Sequence, residues 1–189
     1  MRLERTIVKE VRKTGSGQQI IVSRADNTFL RRLFEIEIPE IYDGIIEIKG
    51  IAREPGERAK IAVESQDTRI DAVGACVGMK GVRIHAIVRE LNNENIDVIN
   101  YTDDPTLYIQ RSLAPAKIKL IEVDEEAKKA SVTADSDQVS LIVGRNGVNI
   151  RLAMKLTGYE VDVLREEKPF EEYDEDIELI DLKEELGVE

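Results

Sequence analysis

Residues 71–86, DAVGACVGMKGVRIHA, align without a gap to residues 137–152, DQVSLIVGRNGVNIRL. Asp71 matches Asp137, Val73 matches Val139, Val77-Gly78 match Val143-Gly144, Gly81-Val82 match Gly147-Val148, and Ile84 matches Ile150. A short alternating strand closes each copy, Ile96-Asp97-Val98 in the first and Val161-Asp162-Val163 in the second. The offset is 66 residues, shortened by one at the strand. That period is too long for one turn of a helical solenoid and suits one small domain per copy. A chain of 189 residues that is 42% hydrophobic holds enough apolar material for two small cores.

The segments upstream repeat as well. In the first copy Phe29-Leu30 and Leu33-Phe34 predict a short amphipathic helix, followed by strands in IIEIKGIA (45–52) and AKIAV (59–63) about the turn Glu54-Pro55-Gly56-Glu57. In the second, Asp104-Pro105 opens a helix through Leu107, Ile109 and Leu113, and strands are expected in KIKLIEV (117–123) and KASV (129–132). Each half therefore reads helix, strand, strand, helix, glycine turn, helix, strand. A hairpin of strands, a later third strand and helices on one face make an α+β fold, here in two tandem copies over 25–100 and 101–165. The junction Tyr101-Thr102-Asp103-Asp104 is short, so the two are expected to form one rigid surface.

Residues 5–23 fall outside the repeat. TIVKEV and QQIIVS flank Thr14-Gly15-Ser16-Gly17, a hairpin pattern, and a lone hairpin is marginal in water. The expectation is that residues 1–24 are the last strands of a larger β-domain, which leaves Met1 open as either a boundary or a natural start. The net charge of −11 at first argues against nucleic acid, but its distribution softens this. Residues 165–189 carry twelve acids against three bases, while residues 1–24 carry six bases against two acids. The acidity sits in a tail at 166–189, whose like charges predict a solvated, flexible run. No stretch approaches the roughly 18 apolar residues of a membrane span. The single cysteine, Cys76, has no disulfide or zinc partners. The expected protein is a cytoplasmic monomer without cofactor or metal.

Two glycine turns carry the chemistry: Gly78-Met79-Lys80-Gly81 and Gly144-Arg145-Asn146-Gly147, each between helical stretches. The helix after the first shows Ile84, Ile87, Val88 and Leu91 at the spacing of a buried face, and the second shows Ile150, Ala153 and Met154. A glycine pair lets another chain approach the backbone closely, and a helix that begins at the second glycine offers free N–H groups and a positive dipole end to phosphate. Lys80 and Arg145 add a charge at each loop tip, with Arg83, Arg151 and Lys155 within reach of a continuing strand. A single such turn is better explained by chance or by a helix cap and turn; two copies in one context, both with a basic tip, favour binding.

Both turns resemble the KH signature, in which a GxxG loop clamps about four nucleotides of backbone. The hairpin ahead of the signature is similar to the type II (prokaryotic) KH arrangement. FLRRLFEIEIPEIYDG, IAREPGERAKIAV, VRELNNENIDVI and SLIVGRNGVNIRLAMKLTGYEVDV further resemble the tandem KH region of the NusA family of bacterial transcription factors, over about residues 20–165. The basic hairpin resembles the end of the OB-type barrel that precedes the KH pair in that family. The resemblance implies a non-enzymatic factor that binds nascent single-stranded RNA and acts with RNA polymerase in pausing, termination and antitermination, and it leaves room for other elongation factors as partners. Carried over by position, the RNA contacts are Gly78, Met79, Lys80, Gly81 and Arg83 in the first copy. In the second they are Gly144, Arg145, Asn146, Gly147, Asn149, Arg151 and Lys155.

Bases are expected in a groove walled by Ala75, Val77 and Ile84 in one copy and Leu141, Val143 and Ile150 in the other. Aromatics are only 4% of the chain, so stacking platforms do not dominate. His85 is expected on the exposed side of its helix, and Cys76, which occupies the position of Ile142, in the core. The carboxylates Glu171, Glu172, Asp174, Glu175 and Asp176 lack the spacing of a calcium loop. A tail this acidic is expected to compete with RNA for Lys80 and Arg145. Two other readings are an RNA-metabolising enzyme in which KH units only hold substrate, as in polynucleotide phosphorylase, and a protein-interaction module with idle loops. The first has one KH ahead of its barrel, after a catalytic core, unlike the order here.

Overall fold

The computed structural model describes residues 4–15 and 17–166. Met1 and the acidic tail from residue 167 on, with the competition expected of it, lie outside the described residues. Strands β1 (Ile7–Thr14) and β2 (Gly17–Ser23) form an antiparallel hairpin closed at Thr14 and Gly17. Helices α1 (Asn27–Glu37) and α2 (Pro39–Tyr42) follow, then strands β3 (Ile46–Glu54) and β4 (Arg58–Ser65). Helices α3 (Ala72–Val77) and α4 (Val82–Glu90) flank the first glycine turn, and β5 (Asn95–Asn100) closes the first unit. The second unit repeats this with α5 (Pro105–Ser112), β6 (Leu120–Asp124), β7 (Lys129–Ala134), α6 (Ser136–Val143), α7 (Val148–Thr157) and β8 (Glu160–Arg165).

Local chemistry explains the helix starts. Asp26, Asp71 and Asp104 each sit at an N-cap with extended backbone, and their carboxylates accept from the amides of Thr28, Val73 and Thr106. Pro105 occupies the first turn of α5, where a missing N–H costs nothing. The Phe29, Leu30, Leu33 and Phe34 face of α1 is fully buried, as its spacing predicts. In both sheets the first two strands run antiparallel and the third joins parallel to the second, in the orders β3-β4-β5 and β6-β7-β8. Helices cover one face of each sheet, so the two units are α+β with separate cores. One core gathers Phe34, Ile48, Ile61, Cys76 and Ile87, the other Ile109, Val132, Ile142, Ala153 and Val161. Cys76 and its counterpart Ile142 are both 0% exposed. Burial pushes the Cys76 thiol up to about 12.

The strand expected at 117–123 begins only at Leu120. The Lys117 amide donates instead to the side chain of Gln138 at 2.9 Å, which takes that residue out of the ladder. The hairpin is held to the first unit by Arg24, which donates to the Glu90 carbonyl at 2.6 Å, pairs with the Glu90 carboxylate at 3.0 Å and lies over the Phe29 ring. Beside it, Arg53 and Glu94 form a buried ion pair at 2.6 Å, and Glu94 also accepts from the Gly56 amide. Among the described residues, no helix is long and apolar enough to cross a membrane.

The outer face of the first sheet is covered by the second unit. Val148, Leu152 and Leu156, one stripe of α7, pack on Ala52. Tyr108 of α5 joins Ala62 and Ile99. Gly50 leaves room for this: a β-carbon there would stand 3.0 Å from Leu156 Cδ1. At the rim, Arg151 makes a two-pronged contact with Glu54 at 2.9 and 3.1 Å, and Lys155 reaches the same carboxylate at 3.4 Å.

Candidate nucleic-acid interface

The two glycine turns have the same backbone. Gly78 lies at φ 74°, ψ 169° and Gly144 at φ 73°, ψ 173°, a region open in practice only to glycine. The third residue of each turn is left-handed: Lys80 at φ 53° and Asn146 at φ 52°. Asparagine tolerates this conformation well; lysine holds it at some cost, which is the kind of strain that persists where a loop must present a particular shape. Gly81 and Gly147 then cap α4 and α7 from the left-handed region, and neither helix has a side-chain N-cap. The amides of Val82 and Val148 are taken by the carbonyls of Met79 and Arg145, and no side chain caps either helix start, an arrangement that leaves the positive end of each helix to a phosphate oxygen. Met79 at the first tip is 90% exposed, and Lys80, Arg145 and Asn146 are exposed beside it or in the second loop.

Close packing behind each turn reinforces the need for glycine. A β-carbon on Gly144 would lie 2.6 Å from Asn149 Cβ, and one on Gly78 would lie 2.9 Å from Arg83 Cγ. Arg83 and Asn149 occupy the same position in the repeat, and the structure gives them the same task. Arg83 donates to the Ala75 carbonyl at 2.7 Å and pairs with Glu40 at 2.9 Å. Asn149, 1% exposed, donates to the Leu141 and Ile142 carbonyls at 3.1 Å. Ala75 and Leu141 are themselves equivalent. Each side chain thus ties the second helix of its signature to the end of the first and holds the turn between them.

The sequence-predicted contacts separate into three sets. The four glycines with Met79, Lys80, Arg145 and Asn146 stand at the two loops. Arg83 and Asn149 lie behind them. Arg151 and Lys155 are turned to Glu54 in the first unit, and Arg151 also donates to the Asn146 carbonyl at 2.5 Å. The hydrogen bond from Arg151 holds the Glu54 carboxyl below its ordinary value despite partial desolvation. Of the expected groove walls, Ala75, Val77, Val143 and Ile150 are half-buried, Ile84 is buried, and Leu141 is 44% exposed. His85 is exposed and stands over Gly81, where a β-carbon would meet its ring at 2.9 Å.

Between the units lies a polar cleft of about 450 Å³ that sequence reasoning did not anticipate, lined in part by Arg58, Asn93, Asn95, Arg145 and Asn146. Its one legible signal was Asn92-Asn93, a pair in the left-handed conformation at the end of α4. The cleft brings the second glycine loop against the first unit.

The model of the NusA-like first KH domain matches residues 24–101, and that of the NusA-like second KH domain matches residues 105–171. The chain belongs to the NusA-like KH family. Curated relatives agree. The transcription termination/antitermination protein NusA of Bacillus subtilis is 48% identical over 159 residues, covering 84% of this chain and 43% of that protein. NusA of Thermus thermophilus is 49% identical over 154 residues, covering 82% and 40%. NusA of Rickettsia prowazekii is 41% identical over 191 residues, covering 95% of this chain and 38% of that protein. The chain thus spans about two fifths of the length of the curated NusA relatives it matches. The two sheets and their GxxG loops are a tandem pair of NusA-like KH domains.

Proposed function

We propose that this KH pair binds single-stranded RNA through its two GxxG loops, as part of a NusA-type factor that modulates pausing, termination and antitermination by RNA polymerase. The observation that carries this reading is the agreement of the two loops, residue by residue in φ and ψ, in front of two helix starts without side-chain caps. Phosphates lie against Gly78–Gly81 and Gly144–Gly147, with Lys80 and Arg145 as charge partners and Met79 and Asn146 at the tips. Arg83 and Asn149 shape the loops from behind. Arg151 and Lys155 set the angle between the KH domains through Glu54, and reach RNA only by sharing or leaving that carboxylate. Residues 1–24 are the closing strands of an OB-type barrel, and the activity is binding in the cytoplasm rather than catalysis. Domain boundaries at about 25–100 and 101–165 follow from the same reading.

The test is a titration of labelled single-stranded RNA of mixed sequence at low and moderate salt. The comparison is a variant carrying Met79→Asp, Lys80→Asp, Arg145→Asp and Asn146→Asp, which keeps every glycine and repels phosphate. Loss of about a hundredfold or more in affinity, with an unchanged fold by circular dichroism, is the expected result. Equal binding by both proteins would move the contact to the basic hairpin and refute the loop reading.

A further inference from the structure

We propose that the outer face of the second KH sheet is a docking seat for a basic, amphipathic α-helix presented by another protein. The equivalent face of the first KH sheet already carries such a helix. There α7 lays Val148, Leu152 and Leu156 on the sheet and points Arg151 and Lys155 at Glu54. Strand register maps one face onto the other. The rows Gly50–Ala62–Ile99, Ala52–Lys60–Asp97 and Glu54–Arg58–Asn95 correspond to Leu120–Thr133–Leu164, Glu122–Ser131–Asp162 and Asp124–Lys129–Glu160.

Nothing among the described residues covers this second face. In the Leu120–Thr133–Leu164 row, the two leucines on either side of the threonine stay 52% and 51% exposed. Next to that row, Glu122, Asp124, Glu160 and Asp162 stand against the single base Lys129, which pairs with Glu160 at 3.3 Å. Glu122 and Asp162 have no ion-pair partner among the described residues. A shallow depression of about 220 Å³ runs across Glu122, Asp124, Lys129 and Ser131. An apolar row flanked by carboxylates is the complement of a helix with a leucine-type stripe and lysine or arginine beside it, the pattern α7 itself shows.

The same map says how tightly. The close approach of α7 depends on Gly50, Ala52 and Ala62, whose counterparts are Leu120, Glu122 and Thr133. A guest helix stands further from the second sheet and loses contact area, which suits a partner that comes and goes. Charge decides against the other occupants. Residues 167–189 carry eleven acids and two bases, and RNA is a polyanion, so both are repelled here.

The probe is a labelled peptide stapled into a helix, with leucines at i, i+4 and i+8 and lysines at i+3 and i+7, titrated into the whole chain by fluorescence anisotropy. A peptide of the same composition in scrambled order is the control for general attraction to an acidic protein. The patterned peptide is expected to bind at least about tenfold tighter than the scrambled one. It should weaken about tenfold both in Leu120→Ala/Leu164→Ala and in Glu122→Gln/Asp162→Asn, while RNA affinity stays within about twofold. Equal binding of the two peptides, or indifference to both double variants, overturns the proposal. Binding that appears only after removal of residues 167–189 would give the face to that tail and overturn it as well.

Discussion

The two KH domains share a topology, a sheet register and a loop geometry, yet their sheets meet the surroundings differently. In the first, glycine and alanine at positions 50, 52 and 62 let a helix of the second domain settle on the sheet, and Lys60 is buried beneath it beside Asp97 at 2.9 Å. In the second, the same positions hold Leu120, Glu122 and Thr133, and the face stays open. Three side chains on one strand pair therefore decide whether a sheet is an internal interface or an outer surface. The loops show the opposite behaviour. Lys80 and Asn146 differ in chemistry, as do Arg83 and Asn149, but both sets arrive at one backbone shape.

The sharpest break of that likeness is at the first glycine of each loop. Gly144→Ala places a β-carbon 2.6 Å from the β-carbon of a buried asparagine, whereas Gly78→Ala meets the flexible stem of Arg83 at 2.9 Å. Backbone strain is common to both and is about 1–3 kcal/mol; only the second loop adds overpacking of similar size. Gly144→Ala is therefore expected to cost about 4 kcal/mol and Gly78→Ala about 2 kcal/mol, measured by urea unfolding. Equal losses would mean that the two loops are braced alike.

The asymmetry between the sheets is next. Leu152, fully buried against Ala52, belongs to the junction. Leu152→Ala is expected to cost about 3 kcal/mol and to split one unfolding transition into two. Leu120→Ala, at the exposed counterpart of Gly50, is expected to cost less than about 0.5 kcal/mol. A single transition in the Leu152 variant would show that the rim contacts suffice to couple the domains.

The smallest effect concerns those rim contacts. The Arg151 hydrogen bond lowers the Glu54 carboxyl in the folded state. A depressed acid contributes stability that is present above its unfolded value, near 4.3, and is lost as pH falls through the lower folded value. The pair is partly exposed, so solvent screening keeps the contribution small. Between pH 5 and pH 3 the wild-type chain should lose slightly more stability than Glu54→Gln; parallel curves would remove Glu54 from the clamp.

Much of this was legible in the residues. The helix start at Asp104, the buried Cys76 and the cap positions of the second glycines follow from local rules of capping and periodicity. The alternating pattern over 117–123 overshoots the strand, which starts at Leu120, because Gln138, far along the chain, takes the Lys117 amide. The roles of Arg83 and Arg151 were hidden for the same reason: a basic residue near a phosphate-shaped loop looks alike whether it faces solvent or a carboxylate.

What the residue order determined alone was the duplication, the α+β order of elements, the two GxxG turns and the acidity of the tail, because these rest on neighbours within a few positions. Tertiary structure decided which stripe of α7 serves its own core and which serves the other domain, and which bases remain free. Glu54 and Arg151 are 97 residues apart, and no local periodicity reports on a contact that exists only once two folded sheets and a helix have been packed together.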